Sequence, residues 1–227
     1  LVGSEMCIRD RADKDQYIYV NENFEEKELD LKNIAEITEQ KLGFPVFVKP
    51  SNSGSSVGIK KANNIEELED AIKYASNYDT KILIEEEIIG REIECAVLGN
   101  TDVKATCVGE ILPAEDFYTF DAKYNNAQSR VVIPAEVEQQ KQDEIKELAI
   151  KAFKAVDGKG LSRVDFFIRK SDNKVYINEI NNIPGSLAFY LFEPLGISFT
   201  ELLNMLIHNA MITCLLYTSP SPRDMRR

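Results

Sequence analysis

The clearest chemistry in this sequence lies in two pairs of polar residues, Arg163 with Asp165 and Glu179 with Asn181, each separated by one residue. Side chains alternate between the faces of an extended strand, so each pair occupies one face. Between them stands the turn Ser171-Asp172-Asn173, flanked by residues 161–169 and 174–180, and this spacing predicts a hairpin that brings the pairs together. Asp165, Glu179 and the side-chain carbonyl of Asn181 are hard oxygen donors of the kind that suits Mg²⁺, which takes few protein ligands and leaves the rest to substrate phosphates. Arg163 beside them could hold a transferring phosphoryl group or a developing oxyanion. The plainer reading is a solvated strand face with salt-bridged charges, which would suffice for either pair alone. Two pairs in register shift the weight toward a site. Ile183-Pro184-Gly185 then turns the chain and presents the Gly185 N–H, as an oxyanion donor or simply as a loop.

A second candidate is KPSNSGSSVG, residues 49–58, where Lys49 at a strand end precedes a loop of small residues including Ser55 and Ser56. Successive backbone N–H groups and hydroxyls in such a loop can surround phosphate oxygens. The lysine comes before the glycines, so this is not a GxxxxGK[ST] loop, and taken alone the stretch suits a flexible turn equally well. The single histidine, His208, follows an amphipathic stretch over 199–207 and is expected on the surface. With no Gx[SC]xG elbow either, a serine or cysteine triad and a zinc site are both disfavoured.

These residues need elements to position them. Residues 17–20 alternate as a strand, 30–42 form an amphipathic helix closed by Gly43, and 44–49 read as a strand. After the loop, 57–60 resume extended character, and a helix begins at Asn64 with Ile65, Leu68, Ala71, Ile72 and Ala75 on one side. Strands are expected at 82–84, 92–98 and 104–112, with Gly99-Asn100 as the turn between the last two, then a short apolar segment at 131–133 and a long helix over 137–156. The chain is expected to divide at 103/104, giving subdomains 12–103 and 104–213. At 227 residues, 44% hydrophobic and 29% charged, it has globular composition and room for a core. A net charge of −11 argues against general attraction to nucleic acid or anionic membranes. No apolar run reaches the roughly 18 residues of a membrane span, and no signal peptide is apparent, so the expected location is the cytoplasm. The four cysteines, Cys7, Cys95, Cys107 and Cys214, show no paired spacing and fit a reducing compartment. Residues 1–11 (LVGSEMCIRDR) and 214–227 (CLLYTSPSPRDMRR) resemble translated sequencing adapter and are expected to stand outside the fold.

In order, KPSNSGSSVG, ILIEEEIIGREIE, FDAKY, GLSRVDFF and INEINNIPG resemble the D-alanine-D-alanine ligase family of ATP-grasp enzymes, over roughly residues 12–212. The resemblance implies an α/β (α+β) chain of two subdomains with mostly antiparallel sheets that clasp ATP. It implies that Lys49 and the loop with Ser56 contact ATP phosphates, that Glu85 and the Glu86 and Ile88 backbones meet adenine, and that Glu92 binds ribose. Phe117 would pack on the base, and Lys123 would be a second phosphate lysine. Its neighbour Tyr124 would act with Ser55 near the first substrate. Asp165, Glu179 and Asn181 would hold two Mg²⁺ (or Mn²⁺) ions, and Arg163 with the Gly185 N–H would stabilise the tetrahedral oxyanion. The implied reaction joins two D-alanines through a D-alanyl phosphate for peptidoglycan precursor synthesis, in cell-wall biogenesis and maintenance of cell shape. The intact protein would be a homodimer.

Two departures stand out. The family's amino-terminal domain would precede residue 12, so the chain reads as a fragment that does not complete the reaction alone. Where the family places a serine for the acceptor carboxylate, counting from Gly185 gives Tyr190, within an acceptor segment that includes Ser186 and Leu191. Tyr190 or Ser186 could replace the missing hydroxyl, or the acceptor could be D-serine or D-lactate. The competing readings are another ATP-grasp carboxylate-amine ligase and a nucleotide-binding remnant without turnover.

Overall fold

The computed structural model describes residues 5–10, 16–20, 26–112 and 130–218, which form two compact units, the first ending at Ile88 and the second beginning at Ile89. In the first unit, β1 (Glu5–Asp10), β2 (Gln16–Val20), β3 (Glu26–Asp30), β4 (Val46–Pro50), β5 (Lys60–Ala62) and β6 (Lys81–Glu86) make one sheet in the order β3-β2-β1-β6-β4-β5. Every pairing in it is antiparallel. Helices α1 (Leu31–Lys41) and α2 (Ile65–Ala75) share its core, in which Ile34, Ile72, Val48 and Ile84 are fully buried. Each helix starts where a side chain can accept an otherwise unpaired first-turn N–H. Asp30 accepts from the Asn33 N–H at 2.8 Å, and Asn64 from the Glu67 N–H at 2.9 Å.

In the second unit, β7 (Gly90–Gly99), β8 (Lys104–Leu112), β9 (Arg130–Val132), β10 (Gly160–Arg169) and β11 (Val175–Asn181) form an antiparallel sheet in the order β11-β10-β7-β8-β9. Alternation along β7 and β10 divides its residues between two cores. Ile93, Cys95, Val97, Val164 and Phe166 pack with Ile145 and Phe153 of α3 (Gln139–Ala155). Ala96, Leu98 and Leu161 pack with Leu191 of the 3-10 segment Gly185–Leu191, with Phe192 just after it, and with Leu202 of α4 (Phe199–Thr218). The polar pairs share this second face.

Most expected elements are present, and the 161–169/174–180 hairpin is β10 and β11. At four points the structure differs from the expectation. Residues 5–10 do not stand outside the fold: they are β1, hydrogen-bonded to both β2 and β6. Nor do residues 214–218 stand outside it, since they continue α4 to Thr218. The division falls at 88/89 and not at 103/104, because β7 takes its hydrogen bonds from β8 and β10 in the second sheet. The strand expected at 57–60 begins only at Lys60, because 54–57 form a turn closed by the Val57 N–H on the Gly54 carbonyl.

Candidate functional site

The two sequence pairs do meet. On β10 and β11, Asp165 lies opposite Glu179 and Arg163 opposite Asn181. Arg163 grips the Asp165 carboxylate with two hydrogen bonds, Nε to Oδ1 at 2.7 Å and Nη2 to Oδ2 at 2.8 Å. This fork geometry is the strongest form of the guanidinium–carboxylate pair. The Asn181 amide donates to Asp165 Oδ2 at 2.9 Å. Glu179 is exposed at the edge of the cluster.

A third strand adds a residue that the spacing did not single out. Glu94 of β7 lies opposite Asp165 in the β7–β10 register. It is only 1% exposed, with Oε2 3.3 Å from Arg163 Nε and accepting from the Tyr190 hydroxyl at 3.1 Å. Arg163 Nη1 makes a longer contact to the same hydroxyl, at 3.5 Å. Gly109, opposite Glu94 on β8, makes the space for it: a Cβ there would stand 3.2 Å from Glu94 Oε1 and 2.9 Å from Leu191 Cδ2. The alternation of Glu92 with Glu94 was visible, but only the pairing of β7 with β10 shows which glutamate reaches the arginine.

One guanidinium thus sits among the carboxylates of Glu94 and Asp165, with Glu179 beside them. Burial pushes the Glu94 carboxyl up to about 7, opposed by the Arg163 charge and reinforced by Asp165. Burial also raises Asp165, against the pull of Arg163. Desolvation disfavours the Arg163 charge, yet the bonds and charges of Asp165 and Glu94 hold its pKa above the usual arginine value. Tyr190 is raised by burial and then by the Glu94 carboxylate, so it remains a neutral phenol.

Among the described residues no three His, Cys, Asp or Glu side chains gather as a metal site. Asp165, Glu179 and Asn181 offer hard oxygen donors of the kind a hard divalent cation takes, and the register opposes the two carboxylates, while both Asp165 oxygens are engaged by Arg163. The Gly185 backbone is exposed and directly follows buried Pro184. Beyond it Ser186, Leu187 and Ala188 all have left-handed backbones, with φ of 50°, 54° and 48°. Ser186 is exposed, whereas Leu191 is fully buried, its carbonyl accepting from the Cys107 thiol at 3.1 Å.

The remaining candidates lie in the first unit or at the start of the second. Lys49 of β4 and Glu85 of β6, expected at the phosphates and the adenine, form an ion pair with Nζ 2.7 Å from Oε1. In the loop after Lys49, Ser55 and Ser56 have left-handed backbones, and the Asn52 N–H donates to Asp79 Oδ2 at 2.8 Å. Glu86 and Ile88 are half-buried at the end of the first unit, and Glu92 is half-buried on β7. Phe117, Lys123 and Tyr124 lie outside the described residues.

Residues 12–208 match the family described as D-ala D-ala ligase C-terminus. The chain is 50% identical over 201 residues to the D-alanine--D-alanine ligase of Acetivibrio thermocellus, covering 86% of this chain and 52% of that protein. It is 43% identical over 226 residues to the corresponding ligase of Clostridium acetobutylicum, covering 92% and 65%. Among solved structures, the D-Ala:D-Ser ligase of Enterococcus faecalis superposes with a TM-score of 0.68 at 34% identity, over 78% of this chain and 52% of that one. The D-alanine-D-alanine ligase of Coxiella burnetii gives 0.69 at 29% identity, over 97% and 57%. The chain spans about half to two thirds of the length of these relatives. The antiparallel sheets with their helices are the ATP-grasp fold of these structural neighbours.

Proposed function

The chain belongs to the D-ala D-ala ligase C-terminus family, and from that premise we propose that the protein it represents joins two D-alanines at the expense of ATP, in the cytoplasm and as a homodimer, for peptidoglycan precursor synthesis. The observation that carries this reading is the Arg163–Asp165 fork held opposite Glu179 and Asn181. In the proposed reaction the carboxylate of the first D-alanine attacks the γ-phosphorus of ATP, and ADP leaves. The amine of the second D-alanine then attacks the resulting acyl phosphate, losing a proton as phosphate departs. Both steps concentrate negative charge on oxygen, where preorganised cations and N–H donors lower the barrier.

Arg163 is assigned to the tetrahedral oxyanion together with the Gly185 N–H. Its charge is secured by two carboxylates and its planar fork is already oriented, so little rearrangement is needed. Asp165, Glu179 and Asn181 would hold Mg²⁺ or Mn²⁺, two ions in this reading, which when bound supply charge neutralisation for the phosphates. Lys49 and Ser56 are assigned to the phosphates, with Lys49 exchanging Glu85 for the nucleotide. Glu85, Glu86, Ile88 and Phe117 are assigned to adenine, Glu92 to ribose, Lys123 to phosphate, and Ser55 with Tyr124 to the first D-alanine. Ser186, Tyr190 and Leu191 are assigned to the acceptor.

Calorimetric titration of Mg-ATP into the 227-residue chain tests the nucleotide half of this reading. Magnesium-dependent binding that weakens in Glu179→Gln is the expected result, and a folded chain that ignores Mg-ATP would overturn it. The Tyr190 hydroxyl is already engaged by Glu94 and Arg163, which leaves the Ser186 hydroxyl as the one to meet the acceptor; the alternative acceptors are D-serine and D-lactate. Acceptor competition in the longer protein decides among them.

A further inference from the structure

Arg163 has a fork partner in Asp165, so a second buried carboxylate against the same guanidinium calls for an explanation. Glu94 is 1% exposed, on the face of β7 that also carries Ala96 and Leu98 into an apolar core. An apolar side chain of similar volume would cost less there than a carboxylate. The carboxylate is also incompletely satisfied, since among the described residues Oε1 has no hydrogen-bond partner. Stability alone therefore does not account for the residue.

Geometry does. Asp165 binds one edge of the guanidinium, through Nε and Nη2, and belongs to the same strand as Arg163. Glu94 approaches Nε from the neighbouring strand, at 3.3 Å, and Tyr190 approaches Nη1 from the 3-10 segment, at 3.5 Å. Glu94 also accepts the Tyr190 hydrogen bond, at 3.1 Å, which ties the second and third supports together. The arginine is thereby referenced to three separate elements. Networks of this kind restrict orientation more than their net stability suggests.

We propose that Glu94 and Tyr190 act as a positioning pair that fixes the orientation of the Arg163 guanidinium. This goes beyond the role given to Arg163 above and rests on that role only for its catalytic consequence. Glu94 touches no reacting atom; it works through the arginine. Removing the pair leaves the Asp165 fork in place but frees the guanidinium to swing with it.

The test is nitrogen-15 NMR of the Arg163 side chain in the 227-residue chain at pH 8, comparing wild type, Glu94→Leu and Tyr190→Phe, with melting temperatures alongside. An ordered Nε–H signal is expected in wild type, identified by its loss in Arg163→Lys. In Glu94→Leu it should broaden or exchange at least about 10-fold faster, while the melting temperature holds or rises, because leucine suits the apolar surroundings. An unchanged signal in folded Glu94→Leu overturns the proposal. Should Glu94→Leu fail to fold, Tyr190→Phe decides: loosening supports the pair and an unchanged signal overturns it. In the longer protein, Glu94→Leu should lower kcat about 10-fold with KM for ATP unchanged. The NMR measurement needs no turnover, so a wild-type protein without ligase activity would overturn the functional reading and leave this test standing.

Discussion

Glu94 also makes the clearest residue-scale prediction. Its carboxyl titrates near 7 in the folded chain, against an ordinary glutamate value of 4.5, and burial is the chief cause. A group with a raised folded pKa holds more protons when folded than when unfolded. Its stabilising contribution is therefore full below about pH 4.5 and is lost as pH rises toward 7. Relative to Glu94→Gln, wild type should lose on the order of 2 kcal/mol between pH 5 and pH 8. Urea unfolding of both proteins at the two pH values measures this, and parallel pH profiles would contradict the assignment. The types and spacing of Arg163, Asp165, Glu179 and Asn181 made their half of the site legible in the sequence. Glu94 was hidden because its relevance depends on a strand partner far along the chain.

At the scale of elements, the phosphate-type loop offers a matched pair of glycines. Gly58 has φ of +82°, and a Cβ there would stand 2.6 Å from Pro50 Cγ and 2.9 Å from the Tyr78 ring. A Cβ at Gly54 meets nothing within 4 Å. Gly58→Ala should therefore cost about 2 kcal/mol or more, from the left-handed backbone and overpacking, whereas Gly54→Ala should be nearly neutral. Thermal unfolding of the two variants gives the comparison. The turn after Gly185 predicts the opposite sign. Ser186 holds φ of 50° while exposed, so Ser186→Gly should raise stability by up to about 1 kcal/mol in the same assay. Helices α1 and α2 were readable because caps and apolar period are local signals. The left-handed run 186–188 and the pairing of β1 were not, because their backbone conformation and partners are chosen by the surrounding structure.

At the scale of the whole molecule, the net charge of −11 coexists with an apolar stripe on α4. Leu203, Ile207 and Met211 follow each other at four-residue steps and are 36%, 59% and 60% exposed, while Leu202 on the other side is fully buried. Exposed apolar area of this kind favours association. The double change Ile207→Lys, Met211→Lys should leave the melting temperature unchanged and reduce any concentration-dependent self-association in sedimentation velocity. A fall in melting temperature would place these side chains in the core instead. Among the described residues no helix is long and apolar enough to cross a membrane.

The sequence by itself determined the chemistry available: hard oxygens and an arginine on a two-residue period, a lysine before a small-residue loop, and the motif order of a known family. Local rules sufficed for these, since strand alternation, helix caps and turn residues act over a few positions. Tertiary structure decided that β7 lies beside β10, which moved the division to 88/89 and set Glu94 against Arg163. It also paired Lys49 with Glu85 across β4 and β6. The physical reason is common to both cases: register between distant strands is settled by which faces can be buried together, and that is a property of the assembled sheet.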